Sequence, residues 1–197
     1  MIPVPPLWGQ TPSQTIGPFF AMALAGSQYG YALASIAGPA LVRPDAAIPG
    51  QRIRIEGLVL DGAGVAVSDA LVEIWQADAL GCYAIAPDPT VAFSGFGRCG
   101  TGTRKDGLFW FETIKPGSAA SGHAPHVNVV VLMRGLLLHA FTRMYFDDEA
   151  AANAADPVLA SLPSNRRATL LAQRSGDAAY RWDIHMQGDR ETVFFDM

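Results

Sequence analysis

Residues 51–78 read QRIRIEGLVLDGAGVAVSDALVEIWQAD, with apolar side chains recurring at every second position. Alternate side chains of a β-strand lie on one face, so this period predicts strands with one buried face. Residues 61–64 carry the Asp and Gly that favour a turn. Beyond that turn, Val72, Ile74 and Gln76 fall on a single strand face. The stretch therefore predicts a strand, a turn, a short strand and a further strand.

The same alternation returns later in the chain. Residues 107–117 (GLFWFETIKPG) predict a strand that ends at its Pro-Gly pair. Residues 126–146 predict two strands joined at Arg134, and residues 180–197 a final hairpin that turns at residues 187–190. Several short strands between turn signals are typical of an antiparallel β-sandwich. We predict a mainly β fold, an antiparallel β-sandwich that fills residues 51–197 as one domain.

Two segments interrupt the strand pattern. Residues 147–156 (DDEAAANAAD) and 164–174 (SNRRATLLAQR) predict short helices, with Asp147 and Ser164 as N-caps. They form a short helical insertion in the sandwich. Beside it, Arg143 is predicted to form an ion pair with Asp147 or Asp148.

The first 50 residues form an extended N-terminal arm in which no charged side chain precedes Arg43. Its residues 19–42 are long enough to cross a bilayer, but they mix Gln, Ser, Tyr and Pro into a background of Ala and Gly. Burial against protein is the better interpretation. The sandwich domain itself or another chain could cover the arm, and we expect residues 1–50 to pack on a partner chain.

The composition indicates which partners and which cellular location this chain would have. Charged residues make up only 16% of the chain, which indicates that part of its surface is covered by a partner. The net charge of −4 argues against nucleic-acid binding. The two cysteines, Cys82 and Cys99, have no zinc spacing and indicate reduced thiols in a cytoplasmic protein.

His126 and Asn128 lie two positions apart at the start of a predicted strand. Two histidines at this spacing would direct both imidazoles to one point, a common way to hold a metal. With an amide at the second position, three interpretations stay open: a metal site, a metal site that has been lost, or a strand with two polar residues.

Six motifs carry a resemblance to a known family. Taken together they resemble the intradiol aromatic-ring dioxygenases, and most closely the alpha chains of its heteromeric members. The resemblance runs from about residue 11 to the C-terminus. The motifs are TPSQTIGPFF (11–20), LVEIWQADALGCY (71–83), FGRCGTGTRKDGLFWFETIKPG (96–117), APHVNVVVLMRG (124–135), TRMYFDDE (142–149) and YRWDIHMQGDRETVFFD (180–196).

The resemblance implies enzymes that open a catechol ring between its two hydroxyls, using O2 and a non-haem Fe(III) held by two tyrosines and two histidines. Tyr83 matches the first tyrosine and His126 the first histidine. Asn128 stands at the second histidine, and residues 118–125 (SAASGHAP) have no tyrosine at the fourth position. A neutral amide is a poor donor to a hard ferric ion. Tyr83, His126 and Asn128 are therefore expected to be a vestigial metal site, with no metal and no catalytic residue in this chain.

The same resemblance implies a partner. In the family, a homologous iron-bearing beta chain binds Fe(III), and the two chains assemble as an (αβ)n oligomer that cleaves 3,4-dihydroxybenzoate to 3-carboxy-cis,cis-muconate. The alpha chain helps to wall the pocket of the beta chain. Here Thr15, Gly17, Pro18 and Arg134 would take that substrate-binding role. A guanidinium suits a substrate that carries a carboxylate.

Two alternatives remain. A self-sufficient dioxygenase could use an altered ligand set that includes His123. Alternatively, residues 57–75 (GLVLDGAGVAVSDALVEIW) also resemble transthyretin-like β-sandwiches, which would make the chain a metal-free binding or scaffold module.

Overall fold

A computed structural model describes residues 16–17, 19–84 and 91–196. Its elements, in chain order, are α1 (Phe20–Leu24), a 3-10 turn (Gly26–Tyr29), β1 (Arg52–Gly57), β2 (Val59–Leu60), β3 (Leu71–Gln76), β4 (Phe96–Gly100), a 3-10 turn (Thr101–Thr103), β5 (Phe109–Ile114), β6 (His126–Leu132), β7 (Ala140–Phe146), α2 (Ala150–Ala155), α3 (Pro157–Ser161), α4 (Ser164–Arg167), a 3-10 turn (Ala168–Leu170), β8 (Leu171–Gly176), β9 (Ala179–Arg181) and β10 (Ile184–His185).

The chain forms a mainly β fold, as the period-two pattern predicts. Eight strands hydrogen-bond in the order β4-β3-β6-β7-β8-β9-β1-β5, and β10 pairs with β2. The β3–β4, β3–β6, β6–β7 and β1–β5 pairs are antiparallel. Strand β8 joins the two halves, pairing parallel with β7 and antiparallel with β9.

The main apolar cluster of the described residues lies between the two halves of the sheet. From the β3–β6 half it takes side chains such as Val72, Ile74 and Val129. From the β1–β5 half it takes Ile55 and Phe111, among others. These side chains face each other because alternate strand positions share a face. The opposite face of β3, β6 and β7 carries the side chains of the candidate functional site.

The predicted helical insertion is present but shorter than expected. Residues 171–174, predicted as helix, belong instead to β8. Leu171 and Ala172 pair with Tyr145 and Phe146 of β7, and Ala172 is buried. Tertiary pairing at the junction of the two halves outweighs the helix propensity of this short segment.

The predicted N-caps were also wrong. Helix α2 begins after Glu149 without a side-chain cap, and Asp147 instead accepts the backbone N–H of Arg174. Ser164 lies inside α4, which Pro163 precedes. The capping side chain is Asp156, which accepts N–H bonds from the first turn of α3.

The described part of the N-terminal arm contacts its own domain. Ala40 bridges to Glu112 of β5, while Val42 is buried and bridges to Phe93. Ala21 packs with Leu71 of β3. Packing of the arm on a partner chain stays a prediction. No helix among the described residues is long and apolar enough to span a bilayer.

Candidate functional site

Three neighbouring strands put a row of side chains on the outer face of the sheet. Trp75 of β3 lies opposite Asn128 of β6, and Asn128 lies opposite Arg143 of β7. Directly opposed positions of paired strands carry their side chains to the same face. The row is therefore a consequence of register, and it forms the floor of a cleft.

A tight turn after β3 brings Tyr83 over this row. Asp78 begins the turn, and its Oδ1 accepts the backbone N–H groups of Leu80 and Cys82, each at 2.9 Å. Gly81 has φ +85°, and a Cβ there would meet the Ser118 carbonyl oxygen at 2.1 Å, so only glycine fits.

Tyr83 and Asn128 bind each other. The Asn128 Nδ2 donates to the Tyr83 hydroxyl oxygen at 2.9 Å and to the Trp75 carbonyl oxygen at 3.3 Å. The amide thus occupies the position predicted for a second histidine and is engaged with the phenol predicted as a metal ligand. In this pair the amide nitrogen is the donor and the phenol oxygen the acceptor.

His126 lies at the start of β6 and is only 7% exposed. Its Nδ1 lies 2.8 Å from the Ala124 carbonyl oxygen, and its ring packs on Tyr145 with centroids 5.5 Å apart. Burial lowers the pKa of His126, and the nearby Arg143 cation acts in the same direction. The imidazole is therefore neutral at neutral pH, with Nδ1 donating to the carbonyl and Nε2 left as the acceptor.

The structure gathers the three predicted vestigial positions in one cavity. Its volume is about 540 Å³, and its lining includes Tyr83, His126, Asn128 and His123. The His123 Nδ1 lies 3.5 Å from a carboxylate oxygen of the buried Asp156. His123 is thus oriented by a carboxylate behind the cavity wall.

Arg143 is the residue of this site that the sequence analysis missed. Its predicted ion pair with Asp147 or Asp148 was wrong, because Asp148 binds Lys115 at 3.0 Å and Asp147 accepts from backbone. Arg143 instead lines the cavity. The strand register with Asn128 is the signal that could have placed it there, since both are outward positions of paired strands.

An apolar compartment adjoins the polar cavity across the same row. It has a volume of about 510 Å³ and shares Trp75, Asn128 and Arg143 with the polar cavity. Its other walls are mostly aliphatic and aromatic: Ile74, Phe96, Val130, Phe141, Val158 and Phe195.

Of the predicted substrate-binding residues, the structure describes Arg134 and Gly17, and neither lines this cleft. Arg134 lies in the β6–β7 turn, its side chain is 61% exposed, and its Nε pairs with Asp69. Gly17 is exposed and has open space around its Cα. Thr15 and Pro18 fall outside the described residues.

The donor set does not fit Fe(III). One phenol and one imidazole remain of the predicted four ligands, and the phenol is hydrogen-bonded to an amide. Within residues 16–17, 19–84 and 91–196 there is no group of three or more His, Cys, Asp or Glu side chains that could hold a metal. Ferric iron prefers several anionic oxygen donors, and Tyr83 is the one side chain among the described walls of the polar cavity that could provide one.

Comparison with known proteins gives a consistent result. A family model described as "Dioxygenase" matches residues 24–188. The protocatechuate 3,4-dioxygenase alpha chain of Burkholderia cepacia is 52% identical over 194 residues, covering 95% of this chain and 98% of that one. The alpha chain of Pseudomonas putida is 43% identical, covering 95% and 96%. The beta chain of Burkholderia cepacia is 33% identical over 71% of this chain and 66% of its own length.

Solved structures agree with the fold. The dioxygenase domain of a carbohydrate-binding fusion protein from Streptomyces sp. SirexAA-E superposes with a TM-score of 0.56 at 25% identity, covering 80% of this chain and 89% of that one. An intradiol ring-cleavage dioxygenase from Tetranychus urticae, at 18% identity, gives a TM-score of 0.59 and covers 79% and 88%.

Proposed function

This chain belongs to the dioxygenase family, and we propose that it is the alpha subunit of a protocatechuate 3,4-dioxygenase. In that role it supports cleavage of 3,4-dihydroxybenzoate between its hydroxyls by O2, giving 3-carboxy-cis,cis-muconate. The observation that carries the proposal is similarity along nearly the whole length of two alpha chains, at 52% and 43% identity.

We further propose that Fe(III) is bound by a homologous beta chain. The Asn128–Tyr83 hydrogen bond supports this division, because both groups are engaged with each other at the place where the ligands would converge. The existence of beta chains that are themselves related to this one supplies the partner. The complex is an (αβ)n oligomer located in the cytoplasm.

Arg134 is the residue of this chain that we assign to the substrate. Its contact with Asp69 uses Nε, which leaves both Nη groups able to bind a carboxylate bidentately. The guanidinium is exposed and accessible to a partner chain, which supports this assignment. Thr15, Gly17 and Pro18 are proposed to shape the adjoining wall, with Gly17 allowing close approach of a flat ring.

The part of the arm before Arg43, which carries no charged side chain, offers a reason why this chain would pair with a beta chain. Exposed apolar side chains in it include Phe19, Leu33 and Ile36, at 73%, 52% and 62% exposure. Large exposed apolar surfaces often mark interaction sites. We propose that a beta chain covers them.

Co-expression with the beta chain of the same source tests the proposal. We expect a tag on this chain to retain the beta chain through purification, and the pair to consume O2 with 3,4-dihydroxybenzoate. The tagged chain alone should show no turnover. Turnover by the chain alone would favour the self-sufficient dioxygenase, and purification as a single species in the presence of the beta chain would favour the scaffold module.

A further inference from the structure

Arg143 has no carboxylate within ion-pair distance among the described residues. Glu73, the carboxylate in the apolar compartment, is held by Arg98 at 2.6 Å. Asp156, behind the polar cavity, accepts backbone N–H bonds from Ala124, Val158 and Leu159, each at 2.9 Å. Arg143 forms no ion pair in the described part of the chain, and its buried Nη1 has no hydrogen-bond partner there.

The surroundings of Arg143 combine this charge with an apolar wall. The guanidinium side chain lines both compartments of the cleft, and so does the Trp75 ring. The compartments measure about 540 and 510 Å³, each within the range of small-molecule sites. A ligand here meets a cation on one side and aromatic and aliphatic groups on the other.

We propose that this cleft is a second, non-catalytic binding site that takes a planar aromatic carboxylate. The carboxylate lies on Arg143 and the ring extends along Trp75 into the apolar compartment. The site is built within the described part of this chain. It does not depend on the proposed function, since the chain's own side chains build it.

The chemistry favours an aryl carboxylate over an inorganic anion. A single guanidinium matches one carboxylate in a bidentate pair, whereas multiply charged anions are usually bound by several donors. The apolar compartment adds burial of a ring, which sulfate or phosphate cannot use. The acceptor Nε2 of neutral His126 suits a phenolic hydroxyl on the same ring.

Equilibrium dialysis of the αβ complex against labelled 4-hydroxybenzoate, without O2, tests the site. This ligand has one hydroxyl, so cleavage between two hydroxyls cannot consume it. We expect two equivalents per αβ pair, of which only one perturbs the visible spectrum of the iron. The chain alone, at the same ligand concentrations, should bind one.

Three variants distinguish the 4-hydroxybenzoate bound in this cleft from the 4-hydroxybenzoate that perturbs the iron spectrum. Arg143→Gln should weaken the spectrally silent equivalent at least about tenfold, through loss of a charged hydrogen bond, and leave the spectral one in place. Ala120→Trp, at an exposed position of the cavity wall, should block the same equivalent without touching Arg143. Arg104→Gln removes a surface arginine that pairs with Asp106 and lines neither compartment, and should retain both equivalents.

Different results would overturn the second binding site and the proposed alpha-subunit function. A single equivalent in the wild-type complex, or two in both cleft variants, would overturn the second site. Displacement of the silent equivalent by sulfate as readily as by unlabelled ligand would overturn the aryl carboxylate assignment. Failure of the proposed function would show instead as a complex without an iron spectrum, while the chain alone still bound its one equivalent.

Discussion

Asn128 and Tyr83 are joined by a hydrogen bond of 2.9 Å from the amide nitrogen to the phenol oxygen. In the predicted four-ligand arrangement, both positions would face a metal. Here the amide takes the phenol oxygen as its own partner, so the two side chains stabilise each other without an ion. Around this pair, Arg143 and Trp75 line the cleft.

A double-mutant cycle should detect that bond. We expect Tyr83→Phe and Asn128→Ala to be coupled by about 0.5–1.5 kcal/mol in the free energy of unfolding, the usual net value of a neutral hydrogen bond. Urea denaturation of the four proteins measures the coupling. Strict additivity would mean that the two side chains do not interact in solution.

Asp156 should contribute to the way the free energy of unfolding falls at acid pH. Burial alone raises its pKa, but N–H bonds from Leu159, Ala124 and Val158, together with nearby His123, bring the pKa below the ordinary value. A lowered folded-state pKa stabilises the protein above the unfolded value of about 4, and this contribution is lost as pH falls through the folded value.

Asp156→Asn should therefore lower the free energy of unfolding at pH 7 by about 1–3 kcal/mol, because the amide cannot accept all these N–H bonds. The difference from wild type should shrink below pH 4. Denaturation at pH 7 and pH 3 measures it, with Asp177→Asn, an exposed carboxylate, as the matched control. A difference that stays constant over this range would contradict the assignment.

Gln76 should be a structural residue of the EIWQAD motif. It is fully buried, donates to the Ile114 carbonyl oxygen at 2.9 Å, and accepts the Thr113 hydroxyl at 2.8 Å. These bonds tie β3 to β5 across the core. We expect Gln76→Met to cost about 1–3 kcal/mol by leaving the Ile114 oxygen and Thr113 hydroxyl unsatisfied, measured by urea denaturation. Thermal stability equal to wild type would refute this role.

Arg134 should act on substrate affinity in the complex. Arg134→Gln is expected to raise KM for 3,4-dihydroxybenzoate about tenfold or more and to change kcat much less, because it removes a carboxylate contact made before and during reaction. Steady-state O2 uptake measures both constants. Arg104→Gln is the surface control. Equal KM values in the two variants would show that Arg134 does not bind the substrate.

Local periodicity accounts for much of what the sequence predicted. The alternation in residues 71–76 and 126–132 gave the buried and outward faces of β3 and β6. It also placed Asn128 on the face opposite Val127 and Val129. The family motifs then identified Tyr83, His126 and Asn128 as one site, and the cavity does bring them together.

The misses have a common physical cause, which is pairing between distant segments. Residues 171–174 look helical locally but complete the sheet between β7 and β9. Arg143 has acidic neighbours in sequence, yet they are engaged elsewhere and its strand position turns it to the cleft. The sequence placed Asp156 only at the end of the predicted helix 147–156, while its bond to Ala124 spans 32 residues.

Anomalous diffraction at the iron absorption edge, from crystals of the αβ complex, tests the central claim most directly. We expect one iron peak per αβ pair, located in the beta chain, and no peak between Tyr83 and His126. A peak of comparable height at those two residues would contradict the assignment of iron to the partner.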